Sequence, residues 1–253
     1  MTHRNKNLPV EISETDEIRS LHLETDSIQS AMSIADPIHM TLRYTQAMVL
    51  SLLFRRHPDE ITILGLGAGS LTKFFYYYCP KTKIITIEIN PKVINVALMM
   101  FEVPIETRRH QIIESDAIRY LEKLKCPTAL LITDIFDGYG IPKEFTSIKY
   151  FQLCFMSIKA DGFAIFNFWG SDAKTPNYIL NLRKIFFHVL VIESDDPGNI
   201  IVMAFKQDYK FPSIKNIEIK LNRLQDKINF DLNYFYKRML KKNKQSFERI
   251  YSD

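Results

Sequence analysis

A glycine-rich stretch at residues 61–69, ITILGLGAG, constrains the fold of this chain more than any other feature. A short apolar run of β type enters a loop that carries Gly65, Gly67 and Gly69, and a helical pattern follows at once. Glycines in such a loop let the backbone turn tightly and approach a ligand closely. Nineteen residues after Gly69, the run KIITIEIN places Glu88 near its end, where an acid can accept hydrogen bonds from ribose hydroxyls. Together the two features predict a nucleoside-binding site.

Strand-like and helix-like segments alternate from residue 61 onward, which is typical of a parallel sheet covered on both faces. The strands are predicted at residues 61–66, 83–88, 110–114, 128–134 and 162–168. Two later apolar runs, HVLVIES and NIIVMAF, flank a turn signal, DDPG, so the sheet is predicted to end in an antiparallel hairpin. By analogy between folds, that ending favours the α/β class I S-adenosylmethionine-methyltransferase-like Rossmann fold over an NAD-binding domain. This fold has a mostly parallel seven-stranded sheet with an antiparallel last strand, and it predicts an S-adenosyl-type ligand.

The chain is expected to have three parts. Residues 1–40 form an abbreviated N-terminal β region, in which a polar lead-in over residues 1–20 precedes a short β-hairpin. Residues 41–206 form the Rossmann-like catalytic domain, which starts with a helix over residues 41–56. Residues 207–253 form a basic amphipathic helical extension.

The C-terminal extension carries the excess of positive charge. The formal net charge is +4, but residues 206–253 contain 12 Lys or Arg against 6 Asp or Glu, and the remainder is slightly acidic. Apolar residues recur there at helical spacing, with a break near Asn229, so we expect an apolar stripe that packs on its own domain or on a second copy. Nucleic-acid binding would need basic residues beside the glycine loop or interleaved with aromatic residues. The sequence has neither arrangement, and no nucleic-acid partner is predicted.

Composition places the chain among globular proteins. Its 253 residues, 46% of them hydrophobic, suffice for one substantial core. The three cysteines are widely spaced within apolar stretches, as is typical of core residues in a reducing compartment. The sequence shows neither a secretory signal nor an apolar run long enough to span a bilayer, so we expect a cytoplasmic protein without a membrane partner. Its histidines lack metal-ligand spacing, and no metal site is predicted.

Acids at the carboxyl ends of the predicted strands are the candidate site residues, because ligands bind there in open α/β sheets. Asp116 follows the third strand and, with the backbone amide of Ala117, can meet an adenine, although it can equally cap the next helix. Asp134 and Asp137 follow the fourth strand in LLITDIFDGYG. Two carboxylates at this spacing can bind an ammonium group and then take its proton, so that the free amine attacks an electrophilic carbon. Binding of Mg²⁺ and capping of the turn are the alternative interpretations of the pair.

Several segments match a known family in the same order. Over residues 20–205 the chain resembles the polyamine aminopropyltransferases, the spermidine and spermine synthase family, in Tyr44-Thr-Gln46-Ala-Met48, LGLGAGSL, IEINPKVINVA, SDAIRYL and TDIFDGYG. The resemblance implies a transferase that moves an aminopropyl group from decarboxylated S-adenosylmethionine to a putrescine-like amine and releases methylthioadenosine. It also implies a homodimer.

The same resemblance gives the candidate residues their roles. Glu88 is implied to hold the donor's ribose, and Asp116 with Ala117 to meet the adenine. Asp134 is implied to act as the base on the attacking amine, and Asp137 to help hold that amine. The full set implied to bind the donor is Gln46, Gly65, Gly67, Gly69, Glu88, Asp116 and Ala117.

Two segments differ from the usual family pattern. Ala68 stands where the family's glycine loop usually has an aspartate that contacts the donor's amine. DIFDGYG replaces the more usual DSSDPxGP and keeps both acids. The sequence leaves two other functions open. One is a small-molecule methyltransferase that uses intact S-adenosylmethionine, and the other is a non-catalytic binding protein with the same fold.

Overall fold

Residues 10–33 form a three-stranded antiparallel sheet in the computed structural model, which describes residues 8–195 and 198–251. Its strands, in spatial order, are β1 (Val10–Glu14), β2 (Ile18–Leu23) and β3 (Ile28–Ser33). The expected hairpin therefore has one more strand. The polar lead-in expected over residues 1–20 is wrong from Val10 onward, while residues 1–7 lie outside the described part. In β1 only Val10 and Ile12 are partly buried, so its alternation is too short to identify a strand until β2 pairs with it.

The central sheet contains seven strands. They are β4 (Glu60–Leu64), β5 (Lys83–Glu88), β6 (His110–Glu114), β7 (Thr128–Thr133), β8 (Ile158–Trp169), β9 (His188–Glu193) and β10 (Asn199–Phe205). Their order is β6-β5-β4-β7-β8-β10-β9, with parallel pairing from β6 to β8 and antiparallel pairing of β10 with both β8 and β9. This confirms the predicted fold class. Asp196 and Pro197, in the middle of the predicted turn between β9 and β10, lie outside the described residues.

Helices cover both faces of this sheet. They are α1 (Arg43–Met48), α2 (Ser51–Phe54), α3 (Ser70–Tyr78), α4 (Pro91–Met100), α5 (Ala117–Lys123), α6 (Ile148–Ser157), α7 (Thr175–Ile185), α8 (Ile214–Gln225), α9 (Leu232–Lys242) and α10 (Lys244–Tyr251). One apolar cluster joins the sheet to α1, α2, α3, α8 and α9, and another joins its opposite face to α5, α6 and α7. A third cluster lies between the N-terminal sheet, the glycine loop and α4.

The helix predicted over residues 41–56 is divided into α1 and α2. Val49 and Leu50 keep right-handed helical dihedral angles, but their backbone amides bond three residues back, to Gln46 and Ala47. The turn between the two helices is therefore tighter than an α-helical turn, and the chain continues along nearly the predicted path.

The C-terminal helices pack on the chain's own central sheet. Packing on its own domain was one of the two arrangements expected for the extension. Ile217 and Leu221 of α8, and Leu232, Phe235 and Met239 of α9, are buried in the first apolar cluster. The break between α8 and α9 at residues 226–231 includes Asn229, as predicted. Among residues 8–195 and 198–251, no helix combines the length and the apolar character needed to cross a bilayer.

Candidate active site

The glycine loop connects β4 to α3 at the carboxyl edge of the central sheet. Gly65, Gly67 and Gly69 all have positive φ angles, of 96°, 52° and 69°, in the region that favours glycine. A Cβ atom on Gly65 would overlap the backbone carbonyl of Asp134. The Gly65 amide also donates to the carbonyl of Ile87 over 2.8 Å. The loop is therefore fixed between the ends of β5 and β7, which carry the acids predicted for the site.

Glu88 ends β5 and is held by the backbone around it. Its Oε2 accepts from the amide of Leu66 at 3.0 Å, and its Oε1 accepts from the amide of Asn90 at 2.9 Å. Burial raises the pKa of Glu88, and these backbone hydrogen bonds partly oppose that shift. A carboxylate offers about four acceptor positions. The remaining ones suit two neighbouring hydroxyl groups, such as those of a ribose.

Asp116 lies between β6 and α5, and it is the N-cap of α5. Its Oδ1 accepts from the amide of Arg119 at 2.9 Å. The capping interpretation of Asp116 is therefore correct, but it does not exclude ligand binding, because a carboxylate has further acceptor positions. Asp116 and Ala117 also line the same cavity as Glu88. The first backbone amides of a helix lack partners within the helix, so the Ala117 amide can meet an acceptor on a ligand.

Asp134 follows β7 and is surrounded by neutral hydrogen-bond donors. Asn167 Nδ2 donates to its Oδ1 over 2.8 Å, and the Tyr44 hydroxyl donates to its Oδ2 over 3.3 Å. Burial raises the pKa of Asp134 to about 6, while the hydrogen bonds from Asn167 and Tyr44 act in the opposite direction. Burial, and the charge of Asp134 beside it, raise the pKa of Tyr44 well above its ordinary value. A carboxyl group with a pKa in this range can accept a proton near neutral pH.

One cavity brings most of the predicted site residues together. Its lining includes Gly65, Gly67, Glu88, Asp116, Ala117 and Asp134. Side chains of the N-terminal sheet close one side of it: Leu21, Leu23, Gln29 and Ser30. Thr25 Oγ1 donates to the carbonyl of Gly138 over 3.3 Å, which connects that sheet to the loop after β7. The N-terminal region is therefore part of the site wall.

Three predicted residues lie outside the lining of this cavity. Gly69 is the N-cap of α3. Gln46 is buried, and its Nε2 donates to the carbonyl of Met40 over 2.6 Å. Asp137 Oδ1 accepts from the amide of Tyr139 at 2.9 Å, and its own amide donates to the carbonyl of Gly140 at 2.9 Å. Asp137 therefore makes the backbone contacts that were expected if it caps the turn.

Tyr44 and Asn167 are site residues to which residue-by-residue reasoning gave no role. Tyr44 belongs to a matched motif, which was the available signal, whereas Asn167 occurs within an apolar strand pattern without any distinguishing spacing. Within residues 8–195 and 198–251, no group of three or more His, Cys, Asp or Glu is placed to hold a metal ion.

Comparison with known proteins gives a consistent result. A family model described as the spermine/spermidine synthase domain matches residues 41–193. The chain is 35% identical to a polyamine aminopropyltransferase of Neisseria meningitidis over 233 residues, which cover 91% of this chain and 87% of that protein. The chain belongs to the spermine/spermidine synthase family. It is also 32% identical to a polyamine aminopropyltransferase of Chromobacterium violaceum over 94% of this chain and 91% of that protein.

A solved spermidine synthase from Thermotoga maritima has the same fold, with a TM-score of 0.65 at 17% identity, covering 91% of this chain and 83% of that one. Ala68 stands in the glycine loop where the resemblance to this family implied an aspartate. Ala68 is fully buried, in the apolar cluster that contains Val93, Phe101 and Val103. Its side chain is thus part of the packing between the glycine loop and α4.

Proposed function

We propose that this chain is a polyamine aminopropyltransferase that uses decarboxylated S-adenosylmethionine as donor and a di- or polyamine as acceptor, and that releases methylthioadenosine. One observation carries the proposal. The carboxylate of Asp134, held by two neutral donors, lines the same cavity as Glu88, the acid proposed to bind the nucleoside. A base and a nucleoside site in one cavity are what amine alkylation by an adenosyl donor requires.

The donor's nucleoside is proposed to bind along the ends of β4, β5 and β6. Glu88 accepts from the ribose hydroxyls, since backbone amides already orient both of its oxygens. Asp116 accepts from the exocyclic amine of adenine, and the Ala117 amide donates to a ring nitrogen. Gly65 and Gly67 line the cavity with backbone, so the loop can approach the donor closely.

The reaction is a displacement at carbon. Asp134 accepts a proton from the acceptor's ammonium group, which leaves a neutral amine with a free electron pair. That pair forms a new N–C bond to the donor methylene beside the sulfonium, while the C–S bond breaks and its electrons return to sulfur. The sulfonium is a good leaving group, so the protein's contribution is deprotonation and alignment of the two reactants. Asp134 then returns its proton to solvent.

Gln46 and Asp137 stay predictions. Gln46 is proposed to support the donor site from α1, and Asp137 to help hold the acceptor's ammonium group. We expect Gln46→Leu to weaken donor binding and Asp137→Asn to raise the acceptor's KM. If donor affinity and the acceptor's KM stay unchanged, Gln46 only supports the backbone of Met40 and Asp137 only stabilises its turn.

A product assay tests the proposed function directly. The protein is incubated with decarboxylated S-adenosylmethionine and putrescine, cadaverine or spermidine, and methylthioadenosine is measured. We expect product with at least one amine, and a loss of about 10²-fold to 10⁴-fold in Asp134→Asn, because that variant has no base. Intact S-adenosylmethionine is the comparison donor. Methyl transfer from it, without formation of methylthioadenosine from the decarboxylated form, would contradict the proposal.

A homodimer located in the cytoplasm is proposed as the working state. An exposed apolar segment at the end of α4 supports assembly, since the Met99 side chain is 83% exposed and that of Ile105 is 78% exposed. The three cysteines are free thiols, as in a reducing compartment. Light scattering should give twice the chain mass for the native protein and a lower mass for Met99→Lys. Cell fractionation tests the location.

A further inference from the structure

Two asparagine side chains form a hydrogen-bonded chain that ends on Asp134. Asn199 Nδ2 donates to Asn167 Oδ1 over 2.9 Å, and Asn167 Nδ2 donates to Asp134 Oδ1 over 2.8 Å. Asn167 is only 4% exposed. The backbone of Asn199 is held as well, because the backbone amide and the hydroxyl of Ser194 both donate to the backbone carbonyl of Asn199 over 2.9 Å.

The side chains of Asn167 and Asn199 each extend a row of apolar side chains on one face of their strand. On β8, Phe163 and Ile165 point to the same face as Asn167, and both belong to the apolar cluster on that side. On β10, Ile201, Met203 and Phe205 belong to the same cluster. Asn199 lies two residues before Ile201, on the same face of the strand. Two polar residues on neighbouring strands thus end two apolar rows at the edge where Asp134 lies.

The direction of the chain is fixed by the charge at its end. An ionised carboxylate only accepts, so Asn167 must present its NH₂ group to Asp134 and its oxygen to Asn199. If the Asn167 amide were reversed, its oxygen would face Oδ1 of Asp134, and its NH₂ group would face that of Asn199. By donating to Oδ1 of Asn167, Asn199 supports the orientation in which Asn167 donates to Asp134.

We propose that Asn167 and Asn199 are positioning residues for the base, with Asn199 acting through Asn167 to keep one oxygen of Asp134 occupied and the other directed toward the substrate amine. The inference rests on the proposed function and deepens it. Oδ2, which also accepts from Tyr44, is then the oxygen that receives the proton. Buried donors on Oδ1 stabilise the ionised form of Asp134 and hold its rotamer.

The other titratable groups near Asp134 do not explain its environment. Tyr44 contacts Oδ2 as a neutral donor. The other acids that line the same cavity are Glu88, Asp116 and Glu144, and Asp137 lies three residues away. These acids would raise the pKa of Asp134 and not lower it, so the amide chain is the structural feature that opposes protonation on the Oδ1 side.

The test compares Asn167→Leu, Asn199→Leu and the double variant, since leucine is close to asparagine in size and cannot hydrogen-bond. We expect Asn167→Leu to lower kcat about 10-fold to 100-fold, and Asn199→Leu to lower it less. The acidic midpoint of kcat/KM should move upward in both, by up to about one pH unit. The KM for the donor should stay unchanged. Because Asn199 acts through Asn167, the double variant should be no worse than Asn167→Leu alone.

A second measurement does not depend on turnover. NMR titration of carbon-13-labelled aspartate, with the Asp134 signal assigned by its loss in Asp134→Asn, gives the midpoint of this carboxyl in each variant. We expect the titration midpoint to be lowest in wild type, higher in Asn199→Leu and highest in Asn167→Leu. If wild type forms no methylthioadenosine, the proposed function is wrong, and the titration alone still decides whether the amide chain acts on Asp134.

Asn243→Leu is the matched control. Asn243 is also buried, and it bonds to the backbone of Val191 far from Asp134. We expect this variant to lose stability but to keep the wild-type midpoint. Midpoints of Asn167→Leu and Asn199→Leu equal to that of wild type would overturn the inference, and so would additive losses in the double variant. If Asn167→Leu fails to fold, Asn199→Leu carries the test through its midpoint.

Discussion

The hydroxyl of Tyr44 donates to Oδ2 of Asp134 over 3.3 Å, which brings a helix before the central sheet into contact with the end of β7. Ninety residues separate the two partners in the chain. Within residues 8–195 and 198–251, no cationic side chain bonds to the Asp134 carboxylate, so burial dominates its acid–base behaviour.

The activity should therefore depend on pH through Asp134. Burial raises the pKa of this carboxyl to about 6. Because the base must be ionised to accept a proton, we expect kcat/KM for the acceptor amine to fall below a pH of about 6, with a limiting slope of one. Steady-state rates across pH check this. A profile that stays level down to a pH of about 4.5 would mean that another group is the base.

Asp134→Asn should make the protein more stable while it removes activity. The pKa of Asp134 is higher in the folded than in the unfolded chain, so ionisation of this group lowers stability as pH rises from about 4 to about 6, and the full cost remains constant at higher pH. We expect the variant to exceed wild type by about 1–3 kcal/mol at a pH of about 8. The difference should shrink toward zero as pH falls to about 4. Urea denaturation at several pH values measures it, and a constant difference would contradict the assignment.

Gly65→Ala should be far more damaging than Gly67→Ala. A Cβ atom at Gly65 would overlap the backbone carbonyl of Asp134, which cannot move without shifting β7, whereas one at Gly67 would lie 3.2 Å from the Cβ of Ser30 on the N-terminal sheet. Both positions have positive φ, which costs alanine about 1–2 kcal/mol. We expect Gly65→Ala to lose more unfolding free energy than this φ cost alone. We also expect it to lose binding of methylthioadenosine. Equal losses in the two variants would show that φ alone matters.

Glu88→Gln should weaken the donor site and also loosen the adjacent backbone, because each oxygen of Glu88 accepts from a backbone amide. Glutamine keeps the size of the side chain but replaces one acceptor oxygen with a donor, which removes charged hydrogen bonds to the ribose. We expect binding of methylthioadenosine to weaken about 10-fold to 100-fold. Calorimetry measures this, with Glu122→Gln on the exposed face of α5 as the control. Equal affinities for Glu88→Gln and wild type would remove Glu88 from the site.

Ala68→Asp should destabilise the protein and should not improve catalysis. Ala68 is fully buried among apolar side chains, so an aspartate there would be a buried charge without a partner. We expect a loss of about 3 kcal/mol or more in unfolding free energy. Thermal denaturation and the donor KM check the two parts, with Ala68→Ser as a smaller polar control. A lower donor KM in the aspartate variant would show that the loop can turn this residue toward the cavity.

The proposed nucleoside half of the site could be predicted from the sequence because each of its signals is local. Gly65, Gly67, Glu88 and Asp116 lie at the ends of predicted strands or within two residues of them, and the carboxyl ends of parallel strands meet at one edge of a sheet. The antiparallel last hairpin was likewise visible as two apolar runs around a turn. The motifs, matched in the correct order, then pointed to one family.

Only the tertiary structure decided what surrounds the base. Tyr44 and Asn167 reach Asp134 from 90 and 33 residues away, through packing of α1 and pairing of β8, and no local pattern marks such contacts. The same holds for Ala68, whose burial depends on how α4 and the N-terminal sheet close over the loop. Sequence determined which groups stand at the strand ends, since the residue that follows a strand is set by chain order alone. The fold decided their partners and the pKa of Asp134, since burial and hydrogen bonding arise only when distant segments pack together.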